Sequence, residues 1–180
     1  VLDKVGTYGM IRFCVELFPG ASQWATPLVV VLALISIIYG ALLAIGQKDM
    51  MRLIAYTSVS HFGLIVLGIF VMNPQGQVGA NLYMFNHGLS TAALFLVTGF
   101  LIKRRGSALI SDFGGVEKVA PVLAGLFLIS GLASLSLPGL SPFVSEFLVL
   151  VGAFKYSVWV AAFAVPAIVL AAVYILLMYK

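Results

Sequence analysis

Lys4, His61, His87 and Glu146 are ionisable side chains set inside long apolar runs. A charge near the centre of a bilayer costs about 3 kcal/mol or more, and those that persist mark ion paths or proton relays. The residue types suit protons. Histidine titrates at about 6.5 when unperturbed, and neutral imidazole accepts a proton on one nitrogen while releasing one from the other. Lysine and glutamate can each hold or release one. Small polar groups beside them (Thr57, Ser58, Ser60, Asn86, Ser90, Thr91, Ser134, Ser145) could anchor water. Each candidate also has a purely structural role open to it. A histidine can hydrogen-bond a neighbouring helix. Lys4 can pair with Asp3 or reach toward the interface, and Glu146 can sit at the positive start of a helix. Tyr8, Tyr56 and Tyr83 are read as packing residues.

Positioning such groups requires membrane-crossing helices, each of roughly 20 mostly apolar residues. Six segments qualify: residues 1–18, 24–45, 53–72, 78–102, 119–154 and 157–179. The first is expected to end at Pro19-Gly20, and the second to carry Pro27 in its first turn. His61 lies eight residues past Leu53 and His87 nine past Val78. At about 1.5 Å per residue both are roughly 12–14 Å deep. Glu146 is eight residues before Phe154, and Lys4 fourteen before Phe18. Four helices would thus each hold one titratable group at similar depth, as a lateral proton path requires.

The segment 119–154 is too long for one pass, since a straight helix of that length would measure roughly 54 Å. Within it stands Leu137-Pro138-Gly139-Leu140-Ser141-Pro142. Two prolines remove two backbone donors and break the helix. Broken backbone at membrane depth is tolerated only inside protein or beside a watery cavity, and in transporters it marks the ion path.

Composition agrees. Of the 180 residues 62% are hydrophobic and 9% charged, against about 45–50% and about 25% in soluble domains. The expected fold is therefore all-α, a polytopic membrane helix bundle with about six spans, the fifth broken, and residues 1–180 form a single membrane domain. The net charge of +4 reflects topology and not nucleic-acid binding. Lys48, Arg52, Lys103, Arg104, Arg105, Lys118 and Lys180 fall on one side of the alternating loops, and Lys155 on the other, with Arg12 near the end of the first span. The basic side is expected to face the cytoplasm. The chain starts without methionine inside an apolar run, so it is read as an internal piece of something longer. A single cysteine, Cys14, excludes an internal disulfide and any CxxC motif. No phosphate-cradling glycine motif, catalytic triad or metal-ligand cluster is present, so no cofactor and no metal are expected on this chain.

Three motifs are similar to those of a known family. Arg52-Leu-Ile-Ala-Tyr-Thr-Ser-Val-Ser-His61-Phe-Gly, Phe85-Asn-His87-Gly-Leu-Ser-Thr and Leu137-Pro-Gly-Leu-Ser-Pro-Phe-Val-Ser-Glu146-Phe resemble signatures of the antiporter-like subunits of respiratory complex I. Lys4 followed by Val5-Gly-Thr-Tyr-Gly-Met-Ile-Arg12-Phe fits the same family. The resemblance implies proton translocation through Lys4, His61, His87 and Glu146, coupled to quinone reduction. It implies other membrane subunits as partners, with NADH, FMN, iron–sulfur clusters and quinone held elsewhere in the complex. Branches L and N, the implied neighbours, usually carry lysine where this chain has Glu146. The implied location is the cell inner (plasma) membrane. The same motifs also occur in cation/proton antiporter complexes and membrane-bound hydrogenases, and a structural subunit that pumps nothing is the contrasting possibility.

Overall fold

The computed structural model describes residues 2–179. Val1, where the first span was placed, and Lys180, one of the basic flank, lie outside the described residues. Those described fold into helices joined by short connections. The one isolated β-bridge among them pairs Asp49 with Leu109.

Helix α1 spans Asp3–Gly9 and runs on as a π-helical turn over Met10–Val15. Helix α2, Pro19–Ile45, follows after three residues. The expectation that Pro19 ends the first span is corrected: Pro19 begins the next helix. Proline lacks the N–H that a first-turn residue leaves unpaired anyway, and its fixed φ suits that position. Pro27 consequently sits inside α2, not in its first turn. One lost backbone bond is tolerated there because the rest of the helix is continuous.

Helix α3, Met50–Phe70, starts earlier than its apolar run because Asp49 caps it, accepting from the Arg52 N–H at 3.0 Å. A side-chain acceptor at that position satisfies one of the four free donors of a helix start. Helix α4, Pro74–Arg105, is capped likewise by Asn73 on Gly76 N–H at 2.9 Å. It ends at Gly106, which adopts the left-handed conformation (φ 78°), as is usual after a last helical turn.

The fifth segment breaks as expected. Helix α5 is one turn, Val116–Val119; α6 spans Pro121–Ser134 and α7 Ser141–Tyr156. The end of α6 closes with Leu137 N–H on Leu132 C=O at 3.1 Å, and Ser136 takes a left-handed φ of 57°. Such a closure normally uses glycine. Pro142 stands in the first turn of α7. The last segment is α8, Val158–Ala164, and α9, Pro166–Tyr179, interrupted at Pro166. Among the described residues four stretches are long and apolar enough to cross a membrane: Pro19–Ile45, Met50–Phe70, Pro74–Arg105 and Val158–Tyr179. The architecture is a polytopic all-α membrane fold.

Packing follows two rules. On the outside, α2 presents Leu28, Val31, Leu32, Ile35 and Leu42, which are exposed and suited to lipid. Inside, small residues let backbones approach closely, as membrane helices require. Gly152 on α7 lies against Gly76 of α4, and a Cβ there would stand 2.6 Å from the Gly76 backbone. Asn73 Nδ2 donates to Gly152 C=O at 2.8 Å in the same contact. The basic ends meet as well: Met50 N–H donates to Ala108 C=O and Ile110 N–H to Lys48 C=O, both at 2.9 Å. The 46–49 and 106–115 connections therefore lie at one end of the bundle, as the alternation of loops requires.

Candidate functional site

Three of the four candidates converge. His61 lies mid-way along α3 and His87 near the middle of α4, and their ring centroids are 4.8 Å apart. Glu146 enters from α7, one turn past its start. Their exposures are 3%, 2% and 5%, so all three are removed from solvent and lipid alike.

Tyr83 joins them. It packs in the core as expected and carries hydrogen bonds besides. Its hydroxyl lies 2.7 Å from His61 Nδ1 and donates to Glu146 Oε2 at 3.0 Å. The signal was present in the sequence, since Tyr83 is four residues before His87 and so shares its helix face. A second tyrosine, Tyr174 on α9, places its hydroxyl 3.2 Å from His61 Nε2. Nothing in the sequence pointed to it, because the two residues are 113 apart along the chain. Both tyrosines are 1% exposed. Tyr83 belongs to the apolar core between α2, α3, α4, α7, α8 and α9, Tyr174 to that between α2, α3, α4, α6 and α9. His61 spans the two.

The neighbouring polar groups are hydrogen-bonded to backbone and to side chains. Ser60 donates to Ile37 C=O and Thr57 to Ile54 C=O, each at 2.8 Å. Thr91, one turn past His87, sets its hydroxyl 3.0 Å from His87 Nδ1. Asn86 clamps the start of α7, donating to Ser141 C=O at 2.9 Å and accepting from the Ser141 hydroxyl at 2.6 Å. Membrane helices held by such bonds gain about 1 kcal/mol from each. Helix α7 has no side-chain cap, so Glu146 is not acting as one. Tyr83 donates to it at 3.0 Å, and Ser136 interacts with it as well.

The break contributes Ser136, whose buried hydroxyl falls short of good hydrogen-bond geometry but interacts with the side chains of Tyr83 and Glu146. A serine at positive φ carries a conformational cost of order 1 kcal/mol. A strained residue whose hydroxyl faces Tyr83 and Glu146 ties the break to the cluster.

Lys4 stands apart. Its Nζ lies 2.9 and 3.0 Å from the two Asp3 carboxylate oxygens, so it is one half of an ion pair. Its helix packs on α3 and α4, and Thr7 reaches Met84 Sδ at 2.8 Å from the next turn. Lys4 is thus carried beside the cluster without touching it through a described bond. No group of three or more potential metal ligands occurs among the described residues.

Comparison with known proteins places this geometry. A family profile described as NADH:quinone oxidoreductase/Mrp antiporter, TM, matches residues 1–171. NADH-quinone oxidoreductase subunit M of Mycobacterium tuberculosis is 64% identical over all 180 residues, which cover 32% of that protein. NADH-ubiquinone oxidoreductase chain 4 of Marchantia polymorpha is 42% identical over the whole chain and 36% of its own length. The chain thus spans about a third of the curated relatives it matches. Among solved structures, respiratory complex I from Thermus thermophilus superposes with a TM-score of 0.95 at 40% identity, over 98% of this chain and 38% of that one. The Mrp complex from Dietzia sp. superposes with a TM-score of 0.91 at 28% identity, over 98% and 33%.

Proposed function

Because the chain belongs to the NADH:quinone oxidoreductase/Mrp antiporter transmembrane family, we propose that it is a segment of a subunit M of proton-translocating NADH–quinone oxidoreductase. In this reading it carries protons through His61, His87 and Glu146, with Lys4 supplying a charge beside them. The observation that carries the reading is the convergence of three titratable side chains inside an apolar bundle, with His61 and His87 rings 4.8 Å apart and Glu146 joined to His61 through the Tyr83 hydroxyl. Buried ionisable groups are costly to keep in a membrane, and a merely structural site could use amides or hydroxyls. Redox chemistry, with NADH, FMN, iron–sulfur clusters and quinone, belongs to other subunits. The neighbours in the membrane are antiporter-like subunits L and N, and the membrane is the inner (plasma) membrane of the cell. An antiporter complex of the Mrp kind is the second reading, supported by the Dietzia superposition. Glu146 favours the first, by resemblance, since the acid replaces the lysine usual in other branches.

Replacing both histidines tests the reading. In His61→Ala/His87→Ala, measured per assembled complex in membrane vesicles, NADH-driven proton uptake is expected to fall by about 100-fold, the scale of a lost proton-transferring group. Each single variant should lose less, because water can enter the vacated space. Unchanged uptake in the double variant would make the histidines packing residues and leave the chain a structural subunit.

Orientation gives a second check. Basic residues gather on the cytoplasmic side of membrane proteins, and here Lys48, Lys103, Arg104, Arg105 and Lys118 lie at one end. Cysteine at the exposed Ser111 should react with an impermeant maleimide in inside-out vesicles and stay unlabelled in right-side-out cells. The reverse pattern would invert the topology.

A further inference from the structure

We propose that the Tyr83 hydroxyl is the link through which a proton passes between His61 and Glu146, within a wire that runs Tyr174–His61–Tyr83–Glu146 and reverses its polarity with each proton passed. The inference rests on the proton-translocating reading above and adds to it a residue and a direction. It starts from counting hydrogens. A tyrosine hydroxyl has one proton to give, and Tyr83 gives it to Glu146 Oε2 at 3.0 Å. His61 Nδ1 lies 2.7 Å from the same oxygen, so while Glu146 is ionised and accepts from Tyr83, the proton of that bond comes from the histidine. With Nδ1 protonated, Nε2 of a neutral ring is an acceptor, and it faces the Tyr174 hydroxyl at 3.2 Å. All three bonds then point the same way, toward the carboxylate.

A proton that reaches His61 Nε2 completes the passage without any group moving far. A new N–H bond forms at Nε2 and the Nδ1–H bond breaks. That proton joins the Tyr83 oxygen as the original Tyr83 O–H bond breaks toward Glu146, which becomes a neutral acid. One proton has entered and one has appeared on Glu146, and Tyr83 ends with the single proton it had before. Every bond now points back: Glu146 donates to Tyr83, Tyr83 to Nδ1, and Nε2–H to Tyr174. A second proton cannot follow until Glu146 discharges, the Tyr83 hydroxyl rotates and His61 exchanges tautomer. The wire passes one proton per reset. The geometry also allows little bypass. Tyr83 is 1% exposed, packed edge-on against the rings of His61 and His87 at 5.9 and 6.1 Å between centroids. No described bond joins His61 directly to Glu146.

Tyr83→Phe removes the hydroxyl and keeps the ring that packs against both histidines. In the assembled membrane complex, proton uptake should fall at least about tenfold, and the rate should become more sensitive to replacing H2O by D2O, because transfer across the gap becomes limiting. Tyr83→His, which restores a group able to accept and donate, should recover part of the rate where Tyr83→Gln, which only hydrogen-bonds, should not. Wild-type uptake and isotope sensitivity in Tyr83→Phe would overturn the wire. Equal recovery by histidine and glutamine would reduce Tyr83 to a positioning residue and overturn it as well. The double histidine variant separates this failure from a wider one. If that variant still loses uptake while Tyr83→Phe does not, proton translocation stands and only the link is wrong.

Discussion

Glu146→Gln is expected to yield an assembled complex in which quinone reductase activity and proton pumping both fall by about 100-fold, the scale of a lost proton-transferring group. Glutamine preserves the shape and can still accept from the Tyr83 hydroxyl that now donates to Oε2 at 3.0 Å, so the bundle has no reason to unfold. What it lacks is the ability to gain and lose a proton. Because electron transfer and pumping are coupled in the proposed complex, blocking one slows the other. Glu146→Asp keeps a carboxyl but draws it back by one methylene, lengthening the contact with Tyr83. It should retain more activity than the amide and less than wild type. Activity of both variants is read on matched amounts of assembled complex, and wild-type turnover by the amide would remove Glu146 from the proton path.

The second large effect concerns folding. Gly152→Leu should prevent α7 from seating on α4, because even a Cβ at that position would lie 2.6 Å from both Cα and N of Gly76. Backbone cannot yield as a flexible side chain can, and overpacking of this kind costs about 3 kcal/mol or more. The displaced α7 would carry Glu146 with it and open the Asn73–Gly152 bond. Assembled complex should therefore be scarce and its thermal stability low. Gly125→Ala on α6 is the control, since a Cβ there meets nothing within 4 Å. It should assemble as wild type. Normal assembly and stability of Gly152→Leu would contradict the close α4–α7 packing.

Much of this was legible because lipid makes polar residues conspicuous. His61, His87 and Glu146 stand out against apolar neighbours, and the structure brings all three to one place. The break between α6 and α7 followed from Pro138, Gly139 and Pro142, residues whose backbone chemistry cannot continue a helix. Ser136, which makes the left-handed turn, gave no such sign, since serine is no helix breaker. The tyrosines escaped for a related reason. Tyrosine is amphipathic, with an apolar body and a polar tip, so Tyr83 reads as a packing residue and Tyr174 gives no signal until their partners are placed. Those partners lie 22, 63 and 113 residues away, a pairing that only the crossing of α3, α4, α7 and α9 decides. Pro19 misled in the opposite direction. Proline stops a helix from its interior but starts one from its first turn, and hydropathy alone does not say which. Lys4 was singled out for its depth, and the structure adds the ion pair with Asp3 that two adjacent letters had left open.

The central claim is that Glu146 changes its protonation as the complex turns over. Infrared difference spectroscopy on the membrane-embedded complex, comparing resting and NADH-driven states, reads this directly. A band of a protonated carboxyl should rise or fall on turnover in wild type, shift in Glu146→Asp and vanish in Glu146→Gln. A difference spectrum that is identical in wild type and Glu146→Gln would mean that the carboxyl never exchanges its proton, and the account would fail.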